Sequence, residues 1–142
     1  MPFVKVYIHF VWSTKHRIPF LDTKELRTNV WDHIRENAHE KGIHIDYISG
    51  YSDHCHCLIS LGFDQNIQKI MRLIKGGASY WINKNKLTKE KFRWQEEYLA
   101  MSVSESAVNR VRQYIKNQEA HHAKKSFQDE YEEIMRKYGF EK

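Results

Sequence analysis

The side chains best placed to do chemistry lie in one short run, Asp53-His54-Cys55-His56-Cys57-Leu58-Ile59-Ser60. The run reads as a β-strand, on which side chains alternate between faces. His54 and His56 then share a face, with Cα atoms roughly 6.5–7 Å apart. Cys55, Cys57, Ile59 and Leu61 point the other way, into a core. Two imidazoles on one face can converge on a metal ion, but they supply two ligands and a third must come from elsewhere. Most His-x-His pairs on strands hold no metal. A zinc cluster made of His54, Cys55, His56 and Cys57 fails on geometry, because the two thiols and the two imidazoles face opposite sides. The one-residue spacing also departs from the usual spacing of zinc ligands. Asp53 reads as a turn residue rather than as a partner that orients His54.

The elements that must position this strand follow from the hydrophobic pattern. Residues 3–13 read as a first strand, with Val4, Val6, Ile8, Phe10 and Trp12 on one face. A basic turn follows, Thr14-Lys15-His16-Arg17-Ile18-Pro19. Asp22 or Thr23 caps a helix to about residue 41, with Leu26, Val30, Ile34 and Ala38 as its buried stripe and Gly42 as its stop. A strand over 43–51 forms a hairpin with the His-x-His strand, about 54–61. Asp64 is expected to cap a helix over about 65–86, which contains Gly76-Gly77, a pair suited to close backbone approach or to DNA contact. Residues 92–95 and 98–104 read as a broken strand pair or one bulged strand. A helix over about 105–123 follows, stacking Tyr114 and Gln118 on one face, and an amphipathic helix over about 126–138 ends the series.

The first six elements match the split βαβ, ferredoxin-like order of an α+β fold. Helices should cover one face of an antiparallel sheet and leave the histidine face open, with the C-terminal helices appended. The whole of 1–142 reads as a single domain.

The chain has 142 residues, of which 41% are apolar and 13% aromatic, enough for a real core and too much for disorder. Lys and Arg number 23 against 18 Asp and Glu, a net charge of +5 that permits a polyanionic partner without requiring one. No apolar run approaches the roughly 20 residues of a membrane span. No N-terminal signal segment is visible, and cysteines two apart on one strand face rarely pair. A cytoplasmic protein with reduced thiols and no membrane contact is expected.

Four segments in this order resemble the single-tyrosine HUH transposases of the insertion-sequence 200/605 type and their REP-associated relatives. They are Ile8-His9-Phe10-Val11-Trp12-Ser13-Thr14-Lys15-His16-Arg17, Asp53-His54-Cys55-His56-Cys57-Leu58-Ile59, Phe92-Arg93-Trp94-Gln95-Glu96-Glu97-Tyr98 and Val111-Arg112-Gln113-Tyr114-Ile115-Lys116-Asn117-Gln118. Phe127-Gln128-Asp129-Glu130-Tyr131 is also similar. The chain departs at Cys55, often Val in relatives, and at Glu97, often Gly.

The resemblance implies that Tyr114 attacks a DNA phosphodiester, leaving a 5′-phosphotyrosine and a free 3′-hydroxyl. It implies that His54, His56 and Gln118 hold Mg²⁺ or Mn²⁺, with imidazole favouring Mn²⁺. It implies single-stranded DNA hairpins as substrate and a homodimer, with Tyr114 serving its own or its partner's histidines. Lys15, His16, Arg17, Arg72, Lys75, Lys116 and Asn117 are the expected DNA contacts. Two rivals remain. A module that binds single strands without cutting would need stacking aromatics on the open face, where Tyr7 is the obvious one, and it leaves the four site residues without roles. A domesticated relative acting on host palindromes would carry the same residues.

Overall fold

From His54 to Ile59 every residue of the His-x-His strand is buried, on both faces, so the strand lies between two layers rather than beneath one. The computed structural model describes residues 2–140. Its elements run β1 (Val6–Ser13), α1 (Lys24–Glu40), β2 (His44–Tyr51), β3 (His54–Leu61), α2 (Ile67–Lys84), β4 (Leu99–Val103), α3 (Val108–Lys116), α4 (Gln118–His122) and α5 (Phe127–Tyr138). Short 3₁₀ turns at Lys15–Arg17 and Glu105–Ala107 join them. The sheet order is β2-β3-β1-β4, and every neighbouring pair is antiparallel. Each β-α-β connection therefore skips one strand, which is the split βαβ connectivity expected.

One face carries the main core. Ile8, Phe10 and Trp12 of β1 and Cys55, Cys57 and Ile59 of β3 pack on Val30, Ile34 and Ala38 of α1 and on Ile70, Met71 and Ile74 of α2. The α1 cap is as expected, with the Leu26 amide donating to Thr23 Oγ1 at 3.1 Å. A Cβ at Gly77 would lie 2.5 Å from Asn37 Nδ2, the far end of a flexible α1 side chain, and one at Gly76 would meet nothing. Several local expectations are corrected. Asn66, not Asp64, caps α2, accepting from the Lys69 amide at 2.8 Å. Residues 92–95 form no strand; Trp94 makes a single bridge to Thr14.

The larger correction concerns the second face. The histidine side of the sheet is covered by α3, α4 and α5, which rest on two small apolar clusters. Leu58 packs with Val108 and Ile115 under α3, and Val11 and Met101 pack with Phe127 under α5. The helix expected over 105–123 is broken at Asn117. Its apolar stripe ends at Ile115, and the next buried position is the polar Gln118. Among the described residues no helix is long and apolar enough to cross a membrane.

Candidate active site

The hairpin between β2 and β3 sets the first histidine. A Cβ at Gly50 would sit 2.2 Å from the His54 carbonyl oxygen, so the hairpin closes tightly only with glycine there. Just before β3, Asp53 Oδ1 accepts from His54 Nδ1 at 2.8 Å. Asp53 thus orients His54 and fixes its tautomer, contrary to its reading as a turn residue. One residue pair on, His56 Nδ1 lies 2.9 Å from His9 Nε2 of β1. Burial, then the neighbouring His56, pushes His9 down to about 3. Burial also lowers His56 to about 4 despite the nearby Glu130 carboxylate. Both rings are therefore neutral near pH 7.

The α3 and α4 helices bring the next groups. Arg112 clamps α3 to β2, donating to both oxygens of Asp46 at 2.6 and 2.7 Å. The buried Arg27 of α1 ties down α4, donating to Glu119 Oε1 and to the Leu21 carbonyl at 2.8 Å, while its guanidinium lies over Tyr51. These anchors leave Tyr114 37% exposed, with its ring 5.5 Å from that of the fully buried His56. Gln118, fully buried, presents Oε1 to His54 Nε2 at 2.9 Å. Its Nε2 donates to Glu130 Oε2 at 3.2 Å. The four residues His54, His56, Tyr114 and Gln118 thus meet within one chain.

Three further residues join them that the sequence reading did not single out: His9, His122 and Glu130. Phe127, at the start of α5, stacks on His54 with ring centroids 4.2 Å apart, which brings Glu130 in one turn later. Glu130 Oε1 lies 3.1 Å from His56 Nε2, 3.0 Å from His122 Nε2 and 3.5 Å from His54 Nε2. Tyr114 donates its hydroxyl to Glu130 Oε2. Burial would raise the Glu130 carboxyl, but hydrogen bonds from His122, His56 and Tyr114 outweigh it and hold the group well below the usual range. Burial first, then the Glu130 charge, raises the Tyr114 phenol far above its ordinary value, so it is protonated at rest. A signal for Glu130 existed: it falls on the buried stripe of α5 with Phe127 and Ile134, where a charge is out of place. His122 likewise follows Gln118 by one turn.

Whether the site suits a cation is decided by its donors. His54 Nδ1 faces Asp53, which leaves Nε2 facing Gln118 Oε1. The Gln118 amide cannot flip without turning that oxygen to Glu130. An imidazole nitrogen and an amide oxygen, with the Glu130 carboxylate 3.5 Å from that nitrogen, are all atoms able to ligate a cation. A divalent cation fits this donor set.

The expected DNA contacts are scattered. His16 and Arg17 adopt left-handed backbone, each with φ of 55°, and line a groove of about 980 Å³ with Trp12, Tyr98, Phe127 and Tyr131. Arg17 lies over the Phe127 and Tyr131 rings at 5.3 and 5.1 Å. Lys15 sits in the same turn. Lys116 and Asn117 are exposed at the α3–α4 break, near Tyr114. Arg72 and Lys75 lie on α2, across the sheet from the histidines, and the structure does not bring them to the site. Lys75 instead donates to the Gln95 and Glu96 carbonyls at 2.6 and 3.0 Å, holding that loop.

Sheet, paired histidines and adjoining tyrosine helix together describe a protein built for chemistry on one buried strand face. Residues 3–118 match the family described as Transposase IS200 like, and the chain belongs to that family. It is 27% identical over 116 residues to the ISDra2 transposase TnpA of Deinococcus radiodurans, covering 78% of this chain and 81% of that one. A crystal structure from Deinococcus radiodurans R1, assigned as a transposase, superposes with a TM-score of 0.65 at 23% identity, over 82% of this chain and 93% of that one. A REP-associated tyrosine transposase bound to a REP hairpin superposes with a TM-score of 0.63 at 17% identity, over 86% of this chain and 72% of that one. Family membership implies a transposase with DNA endonuclease and strand-transfer activity.

Proposed function

We propose that this protein cuts and rejoins single-stranded DNA through a covalent link to Tyr114. The observation that carries the reading is the meeting of Tyr114, His54, His56 and Gln118 in one chain, with the phenol at the edge of an otherwise buried cluster. His54, His56 and Gln118 are the residues assigned to hold Mg²⁺ or Mn²⁺. Such a cation would polarise the scissile phosphate and ease ionisation of the phenol.

The Tyr114 oxygen attacks phosphorus and the P–O3′ bond breaks, giving a 5′-phosphotyrosine. The phenol gives up its proton toward Glu130 Oε2, which already accepts its hydrogen bond, and the departing 3′ oxygen takes a proton from solvent and leaves as a hydroxyl. Rejoining is the reverse, with a 3′-hydroxyl attacking the phosphotyrosine. No ATP is needed because the link conserves the bond energy. The bound hairpin of the REP-associated neighbour supports hairpin ends as the substrate. The groove beside the site offers Arg17 and aromatic faces on which unpaired bases can stack. A homodimer, each copy with its own Tyr114, would process both ends of a segment.

Labelled single strands from the DNA flanking the gene, incubated with Mn²⁺ or Mg²⁺, should give a protein–DNA adduct on a denaturing gel. The adduct should vanish with chelator, with Tyr114→Phe and with His54→Ala. Binding without any adduct would favour the non-cutting module instead.

A further inference from the structure

Tyr114 rides on a helix with little of its own to hold it. The α3 helix has nine residues, no side chain caps its start at Ala107, and it ends at the break at Asn117. Helices this short are marginal unless their surroundings hold them. Its buried side chains are Val108 and Ile115, seven residues apart, which meet Leu58 in a narrow stripe with Val111 beside them. A narrow stripe fixes where a helix lies but constrains its roll only weakly. At about 3.6 residues per turn, Arg112 and Tyr114 stand on opposite flanks of that stripe, roughly 160° apart around the axis. Whatever holds Arg112 therefore sets the direction in which Tyr114 points.

Asp46 holds it, from an irregular place in β2. Ile45 pairs with Ile59 and Tyr47 with Leu58 on the neighbouring strand, so Asp46 is the extra residue of a β-bulge. The bulge lets Ile45 and Ile48 both reach the main core, while Asp46 and Tyr47 between them both turn to α3. Arg112 Nε and Nη2 donate to the two Asp46 oxygens at 2.6 and 2.7 Å, and Nη1 donates to Asn109 Oδ1 at 2.6 Å. A planar guanidinium fork on a carboxylate fixes orientation as well as distance.

We propose that Asp46 is a positioning residue for Tyr114, setting the roll of α3 through Arg112. The inference rests on the proposed function for Tyr114 as the nucleophile and adds the group that aims it. The ion pair is partly exposed and contributes little to stability. Its effect on aim is larger. A roll of about 20° carries a side-chain atom about 5–6 Å from the axis through roughly 2 Å. Misplacement by about 1 Å can cost about a hundredfold in rate.

The test uses the full chain with Asp46→Asn, with Arg112→Lys and with both. Asp46→Asn removes the charge without changing size, and Arg112→Lys keeps the charge without the fork. With saturating Mn²⁺ and flanking single strand, single-turnover adduct formation should slow by about ten- to a hundredfold in each single variant. The double variant should be no slower than the slower single one, because the two residues act as a unit. Strand affinity, measured in a Tyr114→Phe background, should stay within about twofold, and circular dichroism melts should shift by no more than a few degrees. In fluorotyrosine-labelled protein without DNA, the Tyr114 signal, identified by its loss in Tyr114→Phe, should be displaced by Asp46→Asn. The inference is overturned if Asp46→Asn forms adduct at the wild-type rate, if the two losses add, or if the loss falls on affinity rather than on rate. If the wild type forms no adduct, the proposed function falls, and the Tyr114 fluorine signal decides the positioning: displacement upholds it and an unmoved signal overturns it.

Discussion

The two faces of β3 are made of the same backbone and do opposite things. Cys55, Cys57 and Ile59 face a continuous apolar layer formed with α1 and α2. His54 and His56 face a charged network, and the apolar contacts beside it are two small separate clusters. The continuous apolar core lies on one side of the strand and the candidate site on the other. On the histidine side, burial is arranged around polar groups that constrain one another through hydrogen bonds rather than through packing.

The comparison can be broken most sharply at Phe10, fully buried in the main core. Phe10→Ala should cost about 3–5 kcal/mol, lowering the melting temperature by roughly 10 °C in a calorimetric scan. A shift of only a degree or two would mean that the apolar face does not dominate stability. Ile115, fully buried in the small cluster under α3, sharpens the contrast. Ile115→Ala should cost about 2 kcal/mol, the low end for such truncations. Because it loosens the helix that carries Tyr114, it should reduce adduct yield more than its melting shift accounts for. Equal losses of stability and adduct would erase the distinction between the faces. The smallest effect is expected at Cys55 and Cys57, free and fully buried, whose thiols burial pushes up. A colorimetric thiol reagent should leave both unmodified in native protein and label both in denaturant. Fast native labelling would mean that the core face opens.

The strand alternation makes this division legible in the sequence, because period-2 patterning separates histidines from cysteines directly. The element order and the α1 cap were legible for the same reason: apolar spacing and capping residues act locally. What escaped was set by distant partners. Asp53 looks like a turn residue until His54 Nδ1 is seen beside it. The break at Asn117 depends on Gln118 reaching His54 and on Arg27 holding Glu119. Charge alone groups Arg72 and Lys75 with the site, but α2 packs on the other side of the sheet. Glu130 stood on an apolar stripe, but nothing in its own helix reveals the three imidazoles waiting for it.

The proposed site lies complete within one chain, on the polar face of β3. It is tested most directly by mixing Tyr114→Phe protein with His54→Ala protein, after conditions that exchange subunits, and assaying the covalent DNA adduct. A site assembled within each chain predicts that no mixture restores the adduct, since neither copy holds both groups. Recovery of adduct on mixing would contradict the account, because it would place the tyrosine of one copy on the histidines of another.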